Sequence, residues 1–270
     1  MIHTRICHTL LALIIALLAL PTEAENNNFD WSASATLASN YIWRGLYCGG
    51  ASLQADATVS YYGVFANIWW NVGASDWAFT QLNPEVDISI GFSRWGVTIY
   101  YIHMYYFDTY SDGKRSRFFD MHNYAPGGGG TTGEWRVAYR VSDKIPLSIL
   151  LACRTFGRDG YINSNGELQR AYSSYIELGY DVNLSHDWEI DLRLGMTPAK
   201  SLYTGYQGNF AVCHLGAKLN KKWTIGRTCM NAFAHVMLNP WQVNKDNLIL
   251  PIAEAGDQRL NLAVGYSVEL

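Results

Sequence analysis

The side chains best placed to do chemistry in this 270-residue chain are charged residues that share one parity of alternating segments. On that parity lie the acids Asp30, Asp56, Glu85, Asp87, Glu134, Glu177, Asp181, Glu189, Asp191 and Glu269. The bases Arg136, Arg140, Arg154, Arg193, Lys218 and Arg259 fall on it too, with Arg44 and Arg227 added if they face the same way. Acids and bases are nearly balanced. Such a set can brace a wall through cross-strand ion pairs, or it can line a narrow pore whose charge rings select solutes. The residues expected to line a lumen are Arg44, Asp56, Glu85, Asp87, Arg136, Arg154, Glu177, Asp191, Arg193 and His214.

Catalysis has less to draw on. A hydrolase needs a nucleophile, a histidine and an orienting group within hydrogen-bond reach. The histidines His103, His122, His186, His214 and His235 form no His-x-Ser pair in a strand; His186 falls in a turn and His214 reads as a polar lumen residue. No catalytic residue is assigned, and the chain is not expected to be an enzyme. Cys48, Cys153, Cys213 and Cys229 lack zinc-type spacing, so no metal or cofactor is expected. Cys153 and Cys213 read as small apolar residues on the outward face. With a turn at Asn220–Lys222, Cys213 and Cys229 would lie opposite each other, and they are expected to stay unbonded.

The elements that must position these residues are twelve two-residue-period strands. Asp30, Ser32, Ser34 and Thr36 alternate with Phe29, Trp31, Ala33, Ala35 and Leu37; Glu189, Asp191, Arg193 and Gly195 alternate with Trp188, Ile190, Leu192, Leu194 and Met196. Alternation of this kind marks a strand with one apolar face. Long gaps and tight turns alternate between the strands, which is the rhythm of an outer-membrane barrel with short turns at one end and long loops at the other. The expected fold is all-β: a transmembrane antiparallel up-and-down β-barrel of about twelve strands.

Aromatics make up 14% of the chain, and on the apolar parity they gather near strand ends. Trp31, Tyr61, Phe92, Tyr139, Tyr180, Trp188, Trp223 and Tyr266 lie near tight turns, and Tyr41, Trp43, Trp70, Trp135 and Tyr172 near long loops. Two such belts fit the interfacial girdles of a membrane barrel. Two strands resist a unique reading. Residues 97–107 carry large apolar side chains on both parities, and strict alternation from Trp223 would point Arg227 outward. A bulge at Gly226 would turn Asn231 and His235 inward and Met230, Ala232, Ala234 and Val236 outward.

Residues 1–24 read as a secretory signal peptide: Arg5, an apolar run Leu10–Leu20 too short to span a bilayer as a helix, then Pro21-Thr22-Glu23-Ala24. Residues 25–270 form the barrel domain. The net charge of −3 argues against nucleic acid as a partner. Expected partners are outer-membrane lipid, small solutes and the barrel assembly machinery, the last through a chain end at Gly265, Val268 and Leu270 that is similar to outer-membrane insertion signals. A monomer in the bacterial outer membrane is expected.

The segment Ser39-Asn40-Tyr41-Ile42-Trp43-Arg44-Gly45, followed by Leu53-Gln54 and by a hairpin from Tyr62-Gly63 to Trp70, resembles the TorF family, whose members are described as porins. The match spans roughly the first 45 residues after the signal; beyond it only the barrel layout agrees. The resemblance implies a porin-like outer-membrane protein with no assigned substrate. The expected function is therefore a channel for passive diffusion of small solutes. A closed barrel with a surface-binding or structural role comes second, and an outer-membrane lipid hydrolase third. The long gap Asp108–Gly133 carries Lys114, Arg115, Arg117 and the Phe118-Phe119 pair. If it folds into the lumen, deleting Lys114–Gly130 would raise conductance.

Overall fold

The computed structural model describes residues 29–74, 82–107, 116–125, 129–142, 144–241 and 259–270; the leader-like segment 1–24 lies outside them. Twelve antiparallel strands close into a barrel in chain order: β1 (Phe29–Ala38), β4 (Ser52–Tyr61), β5 (Val64–Ala74), β6 (Leu82–Arg94), β7 (Val97–Tyr106), β8 (Thr131–Arg140), β9 (Leu147–Gly157), β12 (Ser174–Asn183), β13 (Trp188–Thr197), β14 (Ala211–Ile225), β15 (Thr228–Leu238) and β16 (Leu260–Glu269). β1 pairs with both β4 and β16, matching Ser34 with Glu269, so the sheet has no free edge. Two small hairpins stand apart from the barrel ladder: β2 (Tyr41–Trp43) with β3 (Leu46–Gly49), and β10 (Gly160–Ile162) with β11 (Leu168–Arg170).

At one end the strands are joined by tight turns. Tyr62-Gly63 and Trp95-Gly96 hold φ of 51° and 88°, and of 55° and 79°. Positive φ at both central residues marks the turn whose twist matches the flanking strands. Gly226-Arg227 make the corresponding link between β14 and β15. That corrects two expectations. There is no turn at Asn220–Lys222, because β14 runs through it to Ile225, and there is no bulge at Gly226. The facing expected from the bulge stands for a different reason. With the turn at Gly226-Arg227, Asn231 pairs with Lys222 and His235 with Lys218 on the inner side, while Val236 pairs with Ala217 on the outer side. Cys229 pairs with Thr224, far along β14 from Cys213, and both thiols are free.

Register resolves β7 as well. Ile88, exposed on the outer wall, pairs with His103, so Val97, Ile99, Tyr101, His103 and Tyr105 face outward and Tyr100, Ile102, Met104 and Tyr106 face inward. The outer wall exposes Val59, Ile68, Ile90, Val137, Leu192, Leu219, Leu262 and Val264. A soluble protein seldom exposes so continuous an apolar belt. At the tight-turn end Tyr61, Phe92, Tyr139, Tyr180 and Trp188 are exposed, and Trp135 and Tyr172 are exposed toward the long loops. Tyr41 and Trp43 leave that belt. β1 ends at Ala38, and the chain then turns inward.

Candidate functional site: a plugged, charged lumen

The inward turn begins at Ser39 and Asn40. The Ser39 amide donates to the Val264 carbonyl (2.8 Å), the Val264 amide donates to Ser39 Oγ (2.9 Å), and Asn40 Nδ2 donates to the Leu262 carbonyl. These bonds pin the chain to β16 and send the β2–β3 hairpin into the lumen. Tyr41 then packs on the inward-facing Trp69 (ring centroids 5.5 Å) and Trp43 on Tyr203 (5.7 Å).

The hairpin turns at Arg44-Gly45, both at positive φ (47° and 84°). Gly45 lies against β14 and β15. Its amide donates to Met237 Sδ (3.1 Å), and its carbonyl accepts from Asn239 Nδ2 (3.2 Å). Tyr41–Gly45 thus form the first arm and the turn of the inserted hairpin, whereas Leu53-Gln54 and Val64–Trp70 belong to the barrel wall.

A second loop meets it. Residues 198–210, between β13 and β14, dip inward through a 3₁₀ turn at Leu202–Thr204 whose side chains are buried. Leu46, Ala152, Tyr175, Leu202, Tyr203 and Cys213 pack into an apolar knot inside the barrel, with Trp43 and Leu150 against it. Cys213 belongs to this knot because a register shift at Gly195/Met196 leaves it as the extra residue of β14, so its expected outward placement is corrected. Cys153 does share the outer face, opposite Trp135.

Above the knot sits a buried charge cluster. Glu134 is fully buried (0% exposed) and accepts from Arg44 Nη1 (2.9 Å) and from Arg136 Nε; Arg154 Nε lies 3.9 Å away. Arg44 Nη1 also donates to Tyr203 Oη (2.7 Å). The Arg44 guanidinium lies over the rings of Trp43 (4.7 Å) and Tyr175 (4.5 Å). Planar guanidinium suits this role, since it can stack and donate at once.

Toward the tight turns the lumen changes character. Asp181 accepts from Arg140 Nη1 and Arg193 Nη1, each at 2.8 Å, and relieves its apposition to Asp191 across the β12–β13 ladder. Asn220 Nδ2 donates to Asp191 (3.0 Å), and Lys222 pairs with Glu189 (3.0 Å). Glu177 accepts from Tyr175 Oη (2.6 Å), which also meets His214 Nδ1 (2.9 Å). Solvent reaches these side chains: Arg193 is 27% exposed and Lys222 45%, against 3% for Arg154 in the cluster above.

Nine of the ten expected lumen residues lie on the inward parity of barrel strands, and Arg44 enters from the turn of the β2–β3 hairpin. Arg44, Arg136 and Arg154 meet at Glu134; Glu177, Arg193 and His214 adjoin one another; Asp191 lies beside them. Asp56 instead accepts from Asn67 Nδ2 (2.8 Å), and Glu85 and Asp87 are buried on β6. Sequence reasoning missed Tyr175, Tyr203 and Gly45. The apolar pair Leu202-Tyr203 in the middle of the 198–210 gap was the signal for the second loop.

The loop between β7 and β8 goes elsewhere. Its described residues pack on outward-facing side chains: Phe118 meets His103 (ring centroids 4.4 Å) and Tyr105 (5.2 Å), and Thr131 Oγ1 donates to the Phe118 carbonyl (2.8 Å). The described part of this stretch does not enter the lumen, so of the two readings of the gap it takes the surface loop and not the lid. Lys114 and Arg115 lie outside the described residues.

A buried carboxylate anchors the second loop. Asp159, between β9 and β10, accepts from the Ser173 amide (2.7 Å) and from Ser173 Oγ, which in turn accepts from the Leu202 amide (2.9 Å). Burial pushes the Asp159 carboxyl up to about 6; Arg154, the two Ser173 hydrogen bonds and Arg170 pull the other way without offsetting it. An unfolded aspartate titrates near ~3.9, so the folded state holds more protons between roughly pH 4 and 6. The stabilising contribution is full below that window and is lost as pH rises through about 6. The 198–210 loop should therefore resist protease better at low pH than at neutral pH, and Asp159→Asn should remove the difference. Equal cleavage rates at both pH values in the unsubstituted protein would show that Asp159 does not anchor the loop.

The fold and site together define a closed twelve-stranded barrel with an apolar exterior, a charged interior and an inserted hairpin. No family model matches the chain, and no curated protein matches it. Among solved structures it is similar to the NanC porin (9% identity, TM-score 0.44, covering 89% of this chain and 98% of that one). It is also similar to Salmonella typhi OmpF in complex with daunomycin (9% identity, TM-score 0.42, covering 92% and 100%).

Proposed function

We propose that the protein is a porin-like channel of the bacterial outer membrane that passes small solutes and is narrowed by the β2–β3 hairpin. The observation that carries this reading is the lumen itself: paired charges still reached by solvent in the tight-turn half lead up to a constriction built around Arg44 and Glu134. A closed barrel is the only way for strands to satisfy their backbone in lipid, and ten-residue strands match the ~9–11 residues needed to span it. The apolar belt then faces lipid, the barrel is inserted by the assembly machinery, and it works as a monomer. The lumen charges act as wall braces and solute guides, with no catalytic role.

Single-channel recording of the purified barrel in a planar bilayer tests this. Discrete steps are expected, with ion selectivity that shifts when Arg193 or Glu177 is neutralised. A silent but folded, heat-modifiable barrel would overturn the channel reading. It would favour a closed barrel with a structural or surface-binding role, which the complete burial of Glu134, Leu202 and Tyr203 supports.

Membrane placement has its own test. Leu192 is 42% exposed on the outer wall, and a midplane arginine there costs ~2–4 kcal/mol. Leu192→Arg should block assembly. Ser32→Arg, on the inward parity opposite Thr58, should be tolerated. Equal yields of folded barrel from the two variants would contradict this facing.

A further inference from the structure

The constriction holds as many acids as bases, but they are segregated. Arg44, Arg136 and Arg154 converge on Glu134, whereas Glu85 and Asp87 stand together on β6. Three bases against three acids leave no net sign to attract a simple anion or a simple cation. What they leave is a dipole along the wall, running from β6 to β8 and β9.

Both poles carry unused hydrogen-bonding atoms. Among the described residues, Arg44 Nη2 and Arg154 Nε on one side and Asp87 Oδ1 on the other are buried without a hydrogen-bond partner. All three residues are more than nine-tenths buried. A buried guanidinium N–H or carboxylate oxygen left unsatisfied is costly, and native structures rarely leave one without an explanation.

The poles lie within reach of one small molecule. Asp87 pairs across β7 with Met104, which pairs with Thr132 on β8, two residues from Glu134. Two inter-strand steps span roughly 10 Å between backbones, and long arginine side chains shorten that gap. Asp87 is within electrostatic reach of Arg136 and Arg154. The hairpin reaches both poles, since Tyr41 is within electrostatic reach of Glu85 and Asp87 and Arg44 follows three residues later.

We propose that the constriction is a binding site for a small zwitterion, whose carboxylate is taken by Arg44 and Arg154 and whose ammonium is taken by Asp87. This names the solute class of the channel proposed above and rests on that reading for its physiological meaning, although binding itself does not require conduction.

Calorimetric titration of the detergent-solubilised barrel with 4-aminobutyrate, butyrate and butylammonium tests it, because the three share a carbon skeleton and differ in their charged ends. 4-Aminobutyrate should bind at least tenfold more tightly than either singly charged analogue. Asp87→Asn, which keeps the side-chain shape, should reduce 4-aminobutyrate to the affinity of butyrate, and Arg44→Gln should reduce it to that of butylammonium. Equal binding of butyrate and 4-aminobutyrate by the unsubstituted barrel would overturn the proposal in favour of an anion site, and no binding of any of the three would overturn it outright. Conductance recorded on the same preparation separates the two readings. A conducting barrel that binds none of the probes sinks only the zwitterion site, and a silent barrel that binds 4-aminobutyrate sinks only the channel.

Discussion

Replacing Glu134 with alanine is expected to be among the most destabilising single changes to the lumen, at ~3–5 kcal/mol, the range for removing one partner of a buried ion pair. The reason is asymmetry. Glu134 is the shared acceptor for Arg44 and Arg136 and the nearest anion to Arg154, and none of these guanidinium groups can shed its proton. Without the carboxylate, three positive charges face one another in a largely buried site. The hairpin carries one of them, so it should be driven from the lumen. Glu134→Gln keeps an acceptor oxygen and the side-chain shape, and should fall between the alanine variant and the parent. Urea unfolding in lipid vesicles reads the stability loss, and conductance reads the hairpin. A loss below about 1 kcal/mol, the range of an exposed ion pair, would mean that water reaches the cluster.

Gly45→Ala should open the lumen while sparing the barrel. A Cβ at Gly45 would lie 1.9 Å from the Cys213 carbonyl oxygen, a backbone atom that cannot rotate away. The residue also holds φ of +84°, which any side chain disfavours. The contact joins the hairpin tip to the wall, and no barrel ladder bond passes through it, so the hairpin yields and the twelve strands do not. A several-fold larger conductance and new protease cleavage within 41–49 are expected, with unchanged heat modifiability. Gly166→Ala serves as the control, because Gly166 has φ of +79° and nothing within 4 Å of its Cβ position. If both variants behave alike, backbone strain alone would explain the effect, and the contact with Cys213 would not matter.

The barrel was legible in the residues because its signal is local. In a strand, parity follows from the backbone, so Leu192 and Arg193 must face opposite sides whatever surrounds them. The tight turns were legible for the same reason at Tyr62-Gly63. At Asn220–Lys222 the turn was misplaced, because two lysines and an asparagine resemble a turn while also fitting a lumen wall, and only pairing with β13 and β15 settles which they are. β7 was ambiguous because large apolar side chains occupy both of its faces. Ile102 and Met104 point inward against the plugged half of the lumen, and the outward His103 and Tyr105 are covered by Phe118.

By itself, the sequence determined the all-β class, the strand number, the alternation of tight and long connections, and the facing of charges within the regularly alternating strands, with Arg44 and Arg227 left open. These follow from a two-residue period and from the cost of placing charge on an apolar face. Only the tertiary structure decided which loops fill the lumen. The plug depends on partners far apart in the chain: Arg44 meets Glu134 at a separation of 90 residues and Tyr203 at 159. Trp43 and Tyr41 carry the same composition as a membrane girdle, yet they point inward because Ser39 and Asn40 bind β16 and turn the chain before them. No periodicity records such a contact, since it is made between loops, where the backbone imposes no repeat.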